Sequence, residues 1–214
     1  MKRLRMMFIA VLFLAFIFGC GAMKVSPVET SFTKGVEMVE DKDIGKVYLA
    51  PDFNFKGYDI MLITELSTAS VLPQKGIDPE EMRIYFKNQL IKRLGETGVF
   101  KTVTDDNSVL SSKQASTTKI LIMEGIFTEL DPGNQALRYF VGFGAGAAKV
   151  QIETVVKDPQ NKQAYFMVSD RRAAAMGAFG GNSKAFILDS LSKIAEAHAS
   201  FIKRIASGGK IEAP

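Results

Sequence analysis

The second half of the chain contains a series of strand-like segments separated by short connections, and this succession constrains the fold most strongly. In each segment apolar and polar residues alternate, as they do in β-strands that bury one face. The segments span residues 119–130, 135–143, 147–157 and 162–170. Residues 131–134, Asp-Pro-Gly-Asn, suit a tight turn in which the glycine takes a positive φ, and residues 158–162 suit a hairpin loop. Strands joined in this way are predicted to be antiparallel neighbours in a sheet.

Two other segments have the periodicity of helices that bury one face. Asp78, Pro79 and Glu81 predict the start of the first helix, because they provide an N-cap carboxylate, a proline in the first turn and a glutamate at the capping-box position. Gly95 or Gly98 is predicted to end this helix. Its apolar face contains Met82, Phe86, Leu90 and Leu94. The second helix is predicted over residues 184–206, with an apolar face made of Ile187, Leu191, Ile194, Phe201 and Ile205.

Strands outnumber helices along the chain. Residues 47–55 and 58–66 alternate like strands before the first helix, and residues 99–103 are predicted to return to the sheet after it. Because most strands follow one another directly, we expect an α+β fold with a largely antiparallel sheet and two main amphipathic helices packed on one face.

The N-terminal leader ends at the chain's single cysteine. Lys2, Arg3 and Arg5 precede an apolar run over residues 6–19, and Cys20 follows at once. A charged start, a short apolar run and small residues are typical of a bacterial export signal, and a cysteine in this position is typical of a lipoprotein. We therefore predict a signal peptide over residues 1–19 and acylation of Cys20. An ordinary cleaved signal remains an alternative, whereas a membrane-spanning helix would need about 20 apolar residues.

The residues after Cys20 are predicted to form a tether and one domain. Residues 20–45 are mostly polar with scattered apolar side chains, so we interpret them as a lipidated, loosely packed tether. A single α+β domain over residues 46–208 and a C-terminal tail over residues 209–214 complete the predicted organisation.

Charge and composition exclude several classes of function. The chain has 27 basic and 23 acidic residues, but removal of residues 1–19 leaves 24 basic residues against the same 23 acidic ones. The mature protein is then nearly neutral, which argues against a nucleic-acid partner. With Cys20 acylated, no thiol remains for a disulfide or for catalysis, and one histidine cannot form a conventional metal site. We predict no metal and no cofactor.

A glycine-rich stretch is the candidate interaction surface. Residues 138–149 carry glycine or alanine at alternate positions, and a second small-residue segment spans residues 173–181. A strand with so few side chains permits a helix or another backbone to pack closely, or a sharp bend; the alternative interpretation is a contact surface for another copy, another protein or lipid. The predicted surface consists of Arg138, Gly142, Gly144, Gly146, Phe179, Gly180 and Gly181. A dinucleotide site is excluded because a strand pattern, not a helix, follows the glycines.

The sequence contains no motif that indicates catalysis. Ser190 and Lys193 have the spacing of a serine/lysine nucleophile, but the companion motifs of that class of enzyme are missing. His198 lies beside apolar positions of the second predicted helix, where a histidine at the edge of the core is expected. Arg171 and Arg172 could bind a lipid phosphate or form ion pairs. We predict no catalytic residue, and an enzyme using carboxylates and serines is kept as a second alternative.

Residues 124–146 resemble a known bacterial family. They read Glu-Gly-Ile at 124–126, Asp-Pro-Gly at 131–133 and Ala-Leu-Arg-Tyr-Phe-Val-Gly-Phe-Gly-Ala-Gly at 136–146. This pattern is similar to the signature of the lipoprotein family catalogued as domain of unknown function 4410. The resemblance implies an export leader, a glycine-rich segment like that at residues 177–181 and a C-terminal amphipathic helix. It implies no reaction, cofactor or catalytic residue.

The sequence thus predicts a membrane-anchored envelope lipoprotein without catalytic activity, which acts as an accessory or assembly component by contact. Its expected partners are the lipid membrane, through acylated Cys20, and an envelope protein or a second copy of the chain. Gly21 follows the cysteine where lipoproteins retained at the inner membrane usually have aspartate. The resemblance therefore implies the periplasmic face of the outer membrane. The alternative function is a periplasmic binding module for a small apolar ligand or lipid.

Overall fold

The structure is a computed structural model of the chain. The structure describes residues 22–30, 33–111, 118–134, 146–160, 162–174 and 182–214. These residues form eight strands and two α-helices, which confirms the predicted α+β class. In chain order the elements are β1 (Met23–Val25), β2 (Val39–Glu40), β3 (Lys46–Leu49), β4 (Ile60–Ser67), α1 (Pro79–Glu96), β5 (Thr102–Thr104), β6 (Ile120–Asp131), β7 (Ala148–Lys157), β8 (Ala164–Ala174) and α2 (Ser183–Ala206). The strand predicted over residues 135–143 lies outside the described residues.

The strands form one open sheet in the order β2-β3-β8-β7-β6-β4-β5. β1 also pairs with β8, on the stretch that follows the part of β8 paired with β3. The pairs β6–β7, β7–β8, β3–β8, β2–β3 and β1–β8 are antiparallel. β4 is parallel to both β5 and β6. α1 carries the chain back between β4 and β5, and residues 105–119 separate β5 from β6. The sheet is thus mostly antiparallel, as predicted.

Both helices cover one face of the sheet, and the hydrophobic core lies between the helices and the sheet. Phe86 of α1 lies edge-on to Phe127 of β6, with ring centroids 5.8 Å apart. Phe201 of α2 stacks on Phe166 of β8 at 5.0 Å. All four rings are fully buried, and burial of each such ring contributes about 1.5–3 kcal/mol. This packing joins both helices to the two long strands.

Local signals account for the ends of the helices. The Asp78 carboxylate accepts a hydrogen bond from the backbone N–H of Glu80 (3.0 Å), so Asp78 is the predicted N-cap of α1. Gly98, two residues after the end of α1, has a φ of +69°, a conformation that favours glycine. Asn182 caps α2 in the same way through the N–H groups of Lys184 and Ala185. The Glu81 carboxylate binds Lys184 of α2, at 2.7 Å, which joins the starts of the two helices.

Residues 47–55 differ from the predicted continuous strand. β3 ends at Leu49, and the chain turns at Pro51 and at Asp52, whose φ is +59°. Pro51 lacks the N–H needed to continue the ladder. Phe53 and Phe55 then lie on a turn and a short 3-10 helix over Phe55–Gly57, where their rings meet edge to face at 4.9 Å.

The described part of the predicted tether is in contact with the domain. β1 and β2 both precede residue 46, the expected start of the domain, and both pair with strands of the sheet. Gly45 lies so close to β8 that a Cβ at this position would overlap the carbonyl oxygen of Ser169. Backbone pairing of this kind needs few apolar side chains, which is why composition did not indicate it.

Candidate functional site

Most of the predicted site residues lie outside the described residues. These are Cys20, Arg138, Gly142, Gly144, Phe179, Gly180 and Gly181. Their assignment to lipidation or to an interaction surface stays a prediction. Gly146 is the member of the set whose position the structure describes.

Gly146 takes part in a close contact between two backbones. Its φ is +72°, and its carbonyl oxygen accepts a hydrogen bond from the N–H of Asn134 (3.1 Å). Gly133 has a φ of +70°, and a Cβ on it would overlap the carbonyl oxygen of Gly146. The predicted turn glycine and the last glycine of the predicted surface therefore meet where the ends of β6 and β7 come together.

Both glycine-rich segments join the fold at the same end of the sheet. The register pairs Met23 with Ala173, Asp131 with Lys149, and Ala148 with Ala174, so these residues mark one end, termed the Met23 end. Asn134 and Gly146, the described residues that flank 135–145, lie at this end, and so does Ala174, which precedes 175–181. The chain also enters the sheet there, at β1. The leader and both parts of the predicted surface are thus attached to one end of the domain.

A segment of the leader crosses the sheet face opposite the helices. Residues 26–30, termed the leader strap, lie over the centre of β7. The N–H of Val28 donates to Gln151 Oε1 (2.8 Å), and Gln151 Nε2 donates to the carbonyl oxygen of Val28 (2.7 Å). The Gln151 amide therefore binds an extended backbone through both of its hydrogen-bonding groups, much as a neighbouring strand would.

Beneath the leader strap lies a fully buried carboxylate. The Glu153 side chain accepts hydrogen bonds from Thr30 Oγ1 (2.6 Å), Gln151 Nε2 (3.1 Å) and Ser169 Oγ (3.3 Å). Thr30 belongs to the leader, whereas Gln151 and Ser169 belong to the sheet. Because a buried carboxylate is costly unless its oxygens are hydrogen-bonded, the strap and the sheet depend on each other at this point.

A small cavity remains between the leader and the sheet. Its volume is about 160 Å³. Its lining is mixed: Pro27, Val28, Glu29, Thr33, Val36, Met38, Lys46 and Ser169. Ligand sites for small molecules usually measure roughly 300–1,000 Å³ and are mostly apolar. This cavity is therefore too small and too polar for a lipid chain.

The helix side of the sheet contains the single histidine, which is buried in the core rather than at its edge. His198 Nδ1 donates to the carbonyl oxygen of Ile194 (2.8 Å), and Nε2 accepts from Thr154 Oγ1 (2.9 Å). The side chain is fully buried, and burial lowers its pKa below the ordinary value of 6.5. Both ring nitrogens are engaged within the core, so this histidine stabilises the fold as a neutral group.

Ion pairs occupy the arginines considered from the sequence. Arg171 binds Glu129 through two hydrogen bonds (2.7 and 3.1 Å), and Arg172 binds the fully buried Asp170 in the same bidentate manner (2.8 Å each). Arg172 also donates to the carbonyl oxygen of Asp43 (3.0 Å). Of the two interpretations drawn from the sequence, ion pairing is therefore the one observed for these two arginines.

A further charged cluster, not anticipated from the sequence, joins the leader to the end of α2. The Arg204 guanidinium binds Asp41 and Asp43, and the Asp41 carboxylate also accepts from the N–H of Glu212 (3.0 Å). Burial acts to raise the pKa of Asp41, but the hydrogen bonds from Arg204, Glu212 and Asp43 outweigh burial and lower it. Arg204 is more than 160 residues from Asp41 and Asp43 in sequence, so no local spacing could have indicated the cluster.

Among the described residues, no three of the side chains His, Cys, Asp and Glu come together in a group that could hold a metal ion. Neither of the two described helices combines the length and the apolar character needed to cross a membrane.

Comparison with solved structures finds distant neighbours. The chain is similar to the PelC dodecamer from Paraburkholderia phytofirmans at 10% sequence identity, with 71% of this chain and 94% of that chain covered and a TM-score of 0.43. It is also similar to a Xanthomonas campestris protein assigned to the family DUF330, at 7% identity, with 75% of this chain and 92% of that chain covered and a TM-score of 0.43. None of the curated proteins matches the chain.

The comparison with protein families gives a match over the centre of the domain. The family described as "Domain of unknown function (DUF4410)" matches residues 51–178. That range covers more than half of the chain and runs from β4 to beyond β8. It includes residues 124–146, on which the resemblance was based. The chain therefore belongs to the DUF4410 family.

Proposed function

We propose that the protein is an envelope lipoprotein that is held on a membrane by acylated Cys20 and acts by contact, as an accessory or assembly component without catalytic activity. The observation that carries this proposal is the leader, in which three basic residues and an apolar run end at the chain's single cysteine. Such a leader exports the chain and places the cysteine at the new N-terminus. Two or more acyl chains on one residue give stable membrane attachment.

The chemistry of the described residues supports a role in contact rather than catalysis. His198 has both nitrogens bound inside the core, and the buried carboxylates Glu153 and Asp170 are held by neighbouring side chains. Ser190, the serine of the serine/lysine pair, is buried, while Lys193 pairs with Asp189 (2.9 Å). A general acid or base must reach a substrate in a cleft, whereas His198, both carboxylates and Ser190 are enclosed and Lys193 is held in an ion pair.

The same observations weigh against the binding-module alternative. The aromatic rings between the helices and the sheet are in contact with one another, and the leader cavity of about 160 Å³ carries polar and charged side chains. An apolar ligand needs a larger apolar pocket. We therefore infer that the contacts form on the outside of the domain rather than in this cavity.

Mass spectrometry of the mature protein from its host tests the anchor. The expected N-terminal peptide begins at Cys20 and carries the added mass of acyl chains. In Cys20→Ser cells the acyl mass should be lost and the protein should leave the membrane fraction. A mature protein that begins elsewhere and carries no fatty acid would contradict the proposal.

Gradient separation of the two membranes, followed by cross-linking in intact cells, tests the location and the contact role. The acylated protein is expected with the outer membrane, because Gly21 follows the cysteine. Cross-links should join it to an envelope protein or to a second copy. Recovery as an uncross-linked monomer at its natural abundance would count against an assembly role.

A further inference from the structure

We infer that the Met23 end of the sheet is the membrane-facing surface of the domain and lies against lipid headgroups. This inference rests on the proposed acylation of Cys20 and adds to it an orientation and a contact surface. It follows from two independent observations: the number of residues between Cys20 and the first strand, and the exposure of apolar side chains at this end.

The first observation is the short reach of the anchor. Cys20 is three residues before Met23, and three residues extend by at most about 11 Å. Met23 is paired with Ala173 of β8, so it is part of the sheet rather than of a free linker. An acylated cysteine lies at the membrane interface. The Met23 end must therefore stay within that reach of the lipid surface.

The leader residues that follow Met23 are also bound to the sheet. Val25 pairs with Arg171, and the leader strap binds Gln151 and Glu153 through Val28 and Thr30. The leader therefore cannot lengthen the tether by peeling away from the sheet without breaking these hydrogen bonds and removing the Thr30 donor from Glu153 Oε2. The attachment is short and the orientation is constrained.

The second observation is the exposure of apolar side chains. Among the large apolar residues that the structure describes, Leu72 and Met23 are the most exposed, at 79% and 58%. Leu72 lies in the loop that follows β4, and the carboxyl end of β4 points in the same direction as that of β6, which ends at Asp131. Four strand spacings separate β1 from β4 in the sheet, or roughly 19 Å. Two apolar contacts so far apart can hold one end of the domain flat against a lipid surface.

Three of the acidic side chains near this end are in ion pairs, and Asp131 is hydrogen-bonded to backbone. Glu80 binds Arg83 (2.7 Å) and Glu81 binds Lys184 (2.7 Å) at the start of α1, while Glu129 is paired with Arg171. The Asp131 carboxylate accepts from the N–H of Gly133 (2.7 Å). The ion pairs of these three glutamates reduce the repulsion that anionic headgroups would otherwise meet here.

Fluorescent labels on single cysteines test the orientation. Acylation consumes the Cys20 thiol, so Leu72→Cys, Asn134→Cys and Gln160→Cys each add one reactive thiol to the acylated full-length mature protein. Leu72 and Asn134 lie at the Met23 end, whereas Gln160 follows β7 at the opposite end, roughly 30 Å away at the rise of a ten-residue strand. All three side chains are exposed, and each variant should keep the wild-type melting temperature.

Each labelled protein is placed in phospholipid vesicles with and without lipids that carry a nitroxide on the headgroup. The expected result is loss of most of the emission at Leu72 and Asn134, with the emission at Gln160 unchanged. Equal quenching at all three positions, or quenching at Gln160 instead, would overturn the orientation. The mass of each preparation separates the two proposals: missing acyl chains overturn the anchor and the orientation together, whereas an acylated protein with the wrong quenching pattern overturns the orientation alone.

Discussion

Thr30 joins the leader strap to a carboxylate that is shut off from water. In a Thr30→Val variant the shape of the side chain is kept, but Glu153 Oε2 loses its 2.6 Å donor. We expect the free energy of unfolding to fall by about 1–3 kcal/mol, because a buried acceptor is left unsatisfied. Urea denaturation measures this change, and proteolysis should cleave the leader sooner.

A matched substitution separates this effect from the general cost of replacing threonine. Thr102 is exposed on the edge strand β5, so Thr102→Val is expected to change the stability by less than about 0.5 kcal/mol. Equal effects of the two substitutions would mean that the contact between Thr30 and Glu153 contributes little.

His198 should make stability depend on pH above the range in which carboxylates titrate. Its pKa in the folded protein is below 6.5, so at lower pH the unfolded chain binds the proton more readily than the folded one. The contribution is fully present above pH 6.5 and is lost as the pH falls through the folded pKa. The loss approaches about 1.4 kcal/mol per pH unit for one proton. Urea denaturation between pH 7.5 and 5.5 measures it.

The control for this prediction compares the slope of the unfolding free energy against pH, rather than the unfolding free energy at one pH. His198→Gln removes the titrating ring and keeps a donor and an acceptor, so its unfolding free energy should change less over the same range. Asp170 and Arg172 also face the histidine and bind each other (2.8 Å). An unchanged slope in the variant would assign the pH dependence to other groups.

For single residues, the sequence predicted the face of the strand on which a side chain lies better than it predicted whether that face is buried. Gln151 and Glu153 alternate with apolar residues along β7, a pattern typical of a strand with one solvated face. They are buried because the leader strap crosses that face. Since the strap binds mainly through hydrogen bonds, its residues have no apolar pattern that could have indicated packing.

Two glycines in different elements should respond to alanine in opposite directions. Gly125 lies in β6, where an added Cβ would be 2.8 Å from the carbonyl oxygen of Glu153 and 3.0 Å from Leu66 Cδ2. Gly125→Ala is expected to destabilise the domain by about 1–3 kcal/mol, because the neighbouring strand backbone would have to move. Thermal and urea unfolding measure the change.

Gly95 is the matched site in α1, where an added Cβ meets open space. Gly95→Ala should stabilise the protein by about 0.5–1 kcal/mol, because alanine loses less conformational entropy than glycine in a helix. Destabilisation by Gly95→Ala, or no effect of Gly125→Ala, would show that helix propensity and strand packing are not what determine these two positions.

The positions of the helices and long strands along the chain were largely predictable, whereas the pairing of the strands in the sheet was not. α1, α2, β6, β7 and β8 lie within a few residues of the predicted ranges, because long periodic segments and clear caps define them. The parallel pairing of β4 with β5 and β6 could not be read from alternation, which shows that a segment is a strand but not beside which strand it lies. The same limit applies to the cluster of Arg204 with Asp41.

For the whole molecule, the sequence predicted a lipid anchor at Cys20 and an α+β fold. The structure shows how near the anchor residue is to the sheet. The predicted tether of residues 20–45 was interpreted as separate from the domain. In the structure its described residues add β1 and β2 to the sheet and cover β7 with the leader strap. The point of attachment therefore moves from residue 46 to residue 23. This difference turns the proposed lipid anchor from a loose tether into a constraint on orientation.

Lengthening the anchor tests whether its reach sets that orientation. An eight-residue Gly/Ser insertion between Gly21 and Ala22 adds a flexible chain with a root-mean-square extension of roughly 16 Å. Because the domain can then turn away from the lipid, the label at Leu72 should regain much of its emission in nitroxide-lipid vesicles, while the protein stays acylated and membrane-bound. The same eight residues added after Pro214 should leave the quenching unchanged. If quenching at Leu72 persisted with the longer anchor, the exposed apolar residues would hold the Met23 end on the membrane by themselves, and the short reach from Cys20 to Met23 would not be the cause.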